Sequence, residues 1–222
     1  MLKHLEIFNQ FVSEFKKDST VEGVLLNGSV ASGTATEMSD LDMIILCNEN
    51  KFVSKVVDTI LVEIHYITYD KAIERLNHYP MEVYKYLDAK IEYDNGKLQE
   101  ILACAENIFN EYCVSEKEKS EITYWLKSTE LKLKSAFLKQ DMLLISYLAS
   151  TNLWKVLEGV WAVNQKPVPP SSSLYRRYKE LEFIPFQNWF EELLAENIEI
   201  KGKAMLKCID WILDELNKKI LA

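Results

Sequence analysis

Along the first half of the chain, helical spacing and strand-like apolar runs alternate. Leu5, Phe8, Val12 and Phe15 recur at helical spacing and predict an amphipathic helix over 2–17. An apolar run over 21–26 reads as a strand, 30–33 as a short helix or turn, 34–39 as a loop and 41–47 as a second strand. A third strand is expected over 58–68, with 52–57 pairing before it. Helices follow over 69–79, ending before Pro80, and over 82–87. An edge strand over 89–93 runs into the turn signal Asp94-Asn95-Gly96, and a helix over 98–112 closes this half.

From Ser115 the pattern becomes one of long helices, over 116–139 and 142–164. The run Lys166-Pro167-Val168-Pro169-Pro170 breaks it. Ser171, Ser172 and Ser173 offer a helix N-cap, and helices over 174–181, 185–196 and 200–221 complete the chain. The fold class expected is α+β: a mixed sheet flanked by helices over 1–112, then an all-α helical bundle over 113–222.

Nearly half of the 222 residues are apolar, enough for full cores without staples. Cys47, Cys104, Cys113 and Cys208 form no Cys-x-x-Cys and no zinc spacing with histidine, so they read as buried, reduced thiols of a cytoplasmic protein. No apolar run approaches the ~20 residues a membrane span needs, and the N-terminus has no apolar signal core. The net charge is −8, with the acidic excess in the first half. No basic stripe of the kind a duplex or tRNA partner calls for is visible, which argues against nucleic acid. An acidic half suits metal binding and a cationic acceptor, and equally the ordinary solubility of a protein surface.

Candidate chemistry concentrates between the first two strands. Gly28-Ser29 is followed by ten residues and then by Asp40-Leu41-Asp42. Strand positions i and i+2 share a face, so Asp40 and Asp42 project together, opposite Leu41. Paired carboxylates repel unless a cation lies between them, and hard oxygen ligands suit Mg2+ held jointly with substrate phosphates. Gly28 permits close backbone approach, Ser29 brings a hydroxyl and an amide to a helix start that favours phosphate, and Gly33 frees the turn. A Gly-Ser dipeptide alone is an ordinary turn and an Asp-x-Asp pair alone is usually solvated. Their joint occurrence between two strands in the right order is the specific signal.

The segment Leu25-Leu26-Asn27-Gly28-Ser29 … Ser39-Asp40-Leu41-Asp42-Met43-Ile44 resembles the signature of the polymerase-beta-type nucleotidyltransferase superfamily. Within it, the chain is most similar to small bacterial enzymes that add a nucleotide to aminoglycoside or lincosamide antibiotics. The resemblance implies transfer of a nucleoside monophosphate, AMP from ATP, to a hydroxyl of a small molecule, with two Mg2+ ions and release of pyrophosphate. It implies catalytic and metal-binding roles for Asp40 and Asp42, and nucleotide contacts from Gly28, Ser29 and Ser39. It also implies an acceptor held by the helical half and a homodimer of the kind related enzymes form.

The resemblance further implies a third acid on the strand after the aspartates, where this chain has a glutamate in place of the commoner aspartate. In Leu61-Val62-Glu63-Ile64-His65-Tyr66-Ile67, Glu63 shares a face with Leu61, His65 and Ile67, and fits as metal ligand or base; an edge-strand glutamate facing water is the competing reading. His65 on the same face fits a phosphate or acceptor contact, or a structural histidine. His4 and His78 have no partner pattern. Glu130/Lys134 and Trp154/Glu158 lie four apart, as on any solvated helix. Lys155 is either a triphosphate contact or a surface lysine, and the five tryptophans, all after residue 112, read as bundle core. The main rival is an antitoxin-like regulatory nucleotidyltransferase acting on or binding a protein partner. Such antitoxins are shorter, and the Arg-x4–6-His signature of their toxins is missing because no histidine follows His78.

Overall fold

A computed structural model describes residues 2–218, and the chain divides between Glu111 and Tyr112 into two compact units. The first unit opens with α1 (Leu2–Phe15). It continues with β1 (Gly23–Leu26), α2 (Gly28–Ser32), β2 (Leu41–Leu46), β3 (Lys51–Val57) and β4 (Ile60–Ile67). The helices α3 (Tyr69–His78) and α4 (Val83–Leu87), the strand β5 (Lys90–Asp94) and the helix α5 (Lys97–Glu111) complete it. The sheet order is β3-β4-β2-β1-β5. It is mixed: β2 and β4 are parallel, and the other neighbours are antiparallel.

Each sheet face has its own core. Val24, Leu26, Leu41, Met43, Ile45, Val62 and Ile64 pack against Ile7, Phe8 and Val12 of α1. Leu25, Ile44 and Leu46 face the other way, against Ala72 and Leu76 of α3, Tyr84 of α4 and Leu98 and Ile101 of α5. Strand periodicity thus sorts β1 and β2 between two layers, which accounts for their nearly continuous apolar character. Gly23 belongs to this packing, since a Cβ there would lie 2.4 Å from Leu98 Cδ1.

Several expectations are corrected. The third strand begins at Ile60 and not at 58, because Asp58 (φ +48°) and Thr59 (φ +74°) form a two-residue left-handed hairpin turn between β3 and β4. β4 is therefore internal, and β3 and β5 are the edges. The short helix starts at Gly28, two residues earlier than expected. Cys47 and Cys208 are buried and Cys104 is half-buried, but Cys113 is exposed just after α5, where Val114 turns inward instead.

The second unit consists of α6 (Glu116–Leu138), α7 (Met142–Val163), α8 (Ser171–Arg177), α9 (Trp189–Leu193) and α10 (Ile198–Lys218). A capping box at Ser115 and Glu118 starts α6, and Asp141 caps α7. Leu126, Leu133, Trp161, Met205, Ile209 and Ile212 form the core. Trp161 and Trp189 belong to it, while Trp125 is half exposed. The helix expected over 185–196 is only the single turn of α9, because Asn188 at φ +61° blocks its N-terminal extension. The helix expected over 174–181 starts earlier, directly after Pro170. The end of the helix expected over 200–221 lies outside the described residues.

A β-branched residue at positive φ is strained, and the turn geometry here favours glycine. Thr59→Gly is expected to stabilise the first unit by about 0.5–1 kcal/mol in urea titration, relief of strain outweighing the added chain entropy.

Candidate active site

The ladder of β1 on β2 runs from Gly23↔Leu46 to Leu26↔Met43 and ends where the Asn27 amide donates to the Asp42 carbonyl at 2.9 Å. The chain then turns at Gly28, with φ +66°. A Cβ at this position would lie 2.1 Å from Asp42 Oδ2, so the Asp42 carboxylate occupies the space that any other residue at 28 would fill. On the other side of β2, Asp42 is paired in register with Glu63 of β4. Asp40, two residues before Asp42, brings its carboxylate to the same place. Oxygens of Asp40, Asp42 and Glu63 all lie within 4.8 Å of one another, and all three residues are half-buried.

Such crowding has an electrostatic signature. Burial, and then the charges of Asp40 and Glu63, push the Asp42 carboxyl up to about 6. Across the turn, α2 is a single helical turn closed by Gly33 in the left-handed conformation. Its first helical bond is Ala31 N–H to the Asn27 carbonyl, so the amides of Gly28, Ser29 and Val30 lie ahead of the helical ladder. The Ser29 hydroxyl is buried without a hydrogen-bond partner among the described residues. An orphaned buried hydroxyl beside three crowded carboxylates and a turn without a Cβ is a donor set that fits a divalent ion carrying phosphate.

A nucleotidyltransferase domain profile matches residues 5–122, more than half of the chain. The chain belongs to the nucleotidyltransferase domain family. As a nucleotidyltransferase it takes a nucleoside triphosphate and a divalent metal, and among the described residues Asp40, Asp42 and Glu63 form a group that could hold such an ion. No curated protein sequence matches the chain. Among solved structures it is similar to a nucleotidyltransferase-like protein from Exiguobacterium sibiricum 255-15. That likeness is 13% identical over 96% of this chain and 74% of the other, with a TM-score of 0.48.

The remaining candidates of the nucleotidyltransferase separate clearly. Ser39 turns its hydroxyl into the loop, where it accepts from the Thr36 amide at 2.9 Å and closes the turn that delivers Asp40. Sequence reasoning gave no role to His4, yet it is buried and its Nε2 donates to the Ser39 carbonyl at 2.8 Å, tying α1 to that loop. The available signal was its spacing, four residues from Phe8 and eight from Val12 on the apolar side of α1. His65 lies on the Glu63 face, its ring 4.6 Å from that of Phe52. In the second unit Lys155 pairs with Glu158, which also accepts from Trp154 Nε1 at 2.7 Å, and Glu130 pairs with Lys134. No membrane-length apolar helix occurs among the described residues.

Gly28→Ala combines a left-handed backbone with a collision at Asp42. It is expected to cost about 1–3 kcal/mol in urea titration and to weaken divalent-ion binding measured by calorimetry. Because the folded Asp42 carboxyl is raised above its ordinary 3.8, the folded state binds this proton more tightly than the unfolded one, and stability falls as pH rises from about 4 to 6. Without metal, Asp42→Asn therefore raises Tm at pH 7 by a few degrees, roughly what 1 kcal/mol yields at this chain length, and the gain fades toward pH 4.

Proposed function

We propose that the protein transfers AMP from ATP to a hydroxyl of a small molecule, releasing pyrophosphate. The reading is carried by one observation: the orphaned Ser29 hydroxyl and the Asp40–Asp42–Glu63 cluster meet around the Cβ-free turn at Gly28. Ser29 and the first amides of α2 bind the β- and γ-phosphates. Asp40 and Asp42 hold two Mg2+ ions. When bound, these ions neutralise the triphosphate and lower the pKa of the attacking hydroxyl.

The sheet order orients the reaction. Ser29 follows β1 on one side of Asp42, and Glu63 stands on β4 on the other side. The acceptor hydroxyl accordingly approaches from the Glu63 side, roughly in line with the pyrophosphate departing toward Ser29. Its oxygen forms the new bond to the α-phosphorus. The bond from that phosphorus to the oxygen bridging to the β-phosphate breaks, and pyrophosphate leaves with the electron pair. Glu63 orients the hydroxyl and takes up its proton. Asp42's raised carboxyl gives binding a pH dependence, because a proton at Asp42 competes with the metal ion and affinity weakens as pH falls below about 6.

An acceptor panel that includes aminoglycosides and lincosamides, incubated with ATP and Mg2+, tests the reading by mass. The expected product gains one nucleotide, and Asp42→Asn reduces its formation by about a thousandfold or more with the circular dichroism spectrum unchanged. Full transfer by the folded variant overturns the assignment.

A further inference from the structure

The two edges of the sheet are built differently. β5 pairs with β1 through a bulge between Val24 and Leu25 and carries Lys90, Glu92 and Asp94 at alternate positions. Bulges and charges of this kind keep an edge from pairing further. β3 pairs with β4 without interruption, from Lys51↔Tyr66 to Val57↔Ile60. Val57 and Ile60 close the two-residue turn as a hydrogen-bonded pair, and bonded and open pairs alternate back along the ladder. Phe52, Ser54 and Val56 therefore direct their N–H and C=O groups away from β4. Among the described residues no backbone group meets them.

The lysines of β3 leave this edge open. Lys51, Val53, Lys55 and Val57 share the α1 side of the strand, where Val53 and Val57 pack on the core. Lys51 Nζ lies 4.3 Å from the centre of the Tyr66 ring of β4, and Lys55 Nζ lies 4.5 Å from that of Phe11 of α1. Both ammonium groups are thus folded back over the unit's own surface. On the opposite side of the strand, Phe52 and Val56 flank Ser54 and are 52% and 69% exposed.

The strand is its own complement. Antiparallel pairing of two β3 strands about Ser54 sets Ser54 opposite Ser54 and Phe52 opposite Val56, all of them bonded pairs made by the outward groups. On the α1 side Lys51 then meets Val57, and Val53 meets Lys55. Moving the axis to residue 55 sets Lys55 opposite Lys55, and moving it to residue 53 sets Lys51 opposite Lys55. Like charges directly opposite are destabilising. Charge therefore selects one register, and it selects a second copy of the same strand as the occupant.

We propose that two copies of this chain join edge to edge through β3, continuing the five-stranded sheet of one into that of the other across a two-fold axis at Ser54. The aromatic and β-branched pair of Phe52 with Val56 forms twice, and His65 and Leu61 continue each pair into the parent sheets. The polar pair Ser54–Glu63 occupies the row on the axis between them. The Glu63 Cα atoms of the two copies accordingly stand three strand spacings, about 14 Å, apart on one sheet face. An interface of one strand and its flanking side chains is small, so the dimer dissociates on dilution.

Sedimentation equilibrium of the full chain reads the association. A monomer–dimer equilibrium is expected. Val56→Lys is expected to weaken it about tenfold, and so is Ser54→Pro, which removes an N–H that the ladder to β4 does not use. Circular dichroism checks that both variants remain folded. Crosslinking reads the register, in a Cys113→Ser background that removes the exposed thiol. Ser54→Cys is expected to form an intermolecular disulfide on mild oxidation, since an opposed bonded pair sets the Cα atoms about 5.5 Å apart. Phe52→Cys and Val56→Cys are each expected to stay uncrosslinked alone and to crosslink when mixed. A chain that stays monomeric at millimolar concentration overturns the proposal. So does a dimer indifferent to both Val56→Lys and Ser54→Pro, or the absence of a disulfide both from Ser54→Cys and from the mixture.

Discussion

Three carboxylates whose oxygens lie within 4.8 Å repel one another, and the first unit is organised around holding them there. Asp42 and Glu63 cannot move apart without breaking the parallel register of β2 on β4, which is clamped between two apolar layers. Asp40 is set by a loop that the buried His4 ties to α1. Gly28 leaves room for the Asp42 carboxylate where any side chain would collide with it. The result is a fixed cluster of hard oxygen donors, the preorganisation that metal-assisted phosphoryl chemistry needs.

The site is also ordered across the sheet. The orphaned Ser29 hydroxyl follows β1, while the carboxylates come from the loop before β2, from β2 itself and from β4.

Much of this was legible in the sequence because the signals were local. The i, i+2 spacing of Asp40 and Asp42, the Gly-Ser turn and the apolar strands around them determine their own geometry, and Glu63 was found from its place on the next strand. The hairpin turn at Asp58-Thr59 was not legible, since Asp-Thr carries no glycine to announce positive φ. The role of His4 was hidden because its partner, the Ser39 carbonyl, is 35 residues away. The Arg75–Glu82–Lys85 group escaped for the same reason. Its members lie on different helical turns, and only the fold brings Arg75 and Lys85 to the two oxygens of Glu82.

The central claim is that chemistry occurs at the α-phosphorus of a nucleotide held at the carboxylate triad. Phosphorus NMR of ATP turnover with Mg2+ and a metabolite extract as acceptor source tests it most directly. Pyrophosphate together with a new phosphodiester or other AMP-bearing signal is expected. ADP with a phosphorylated product or orthophosphate would contradict it, since that would place the attack at the γ-phosphorus.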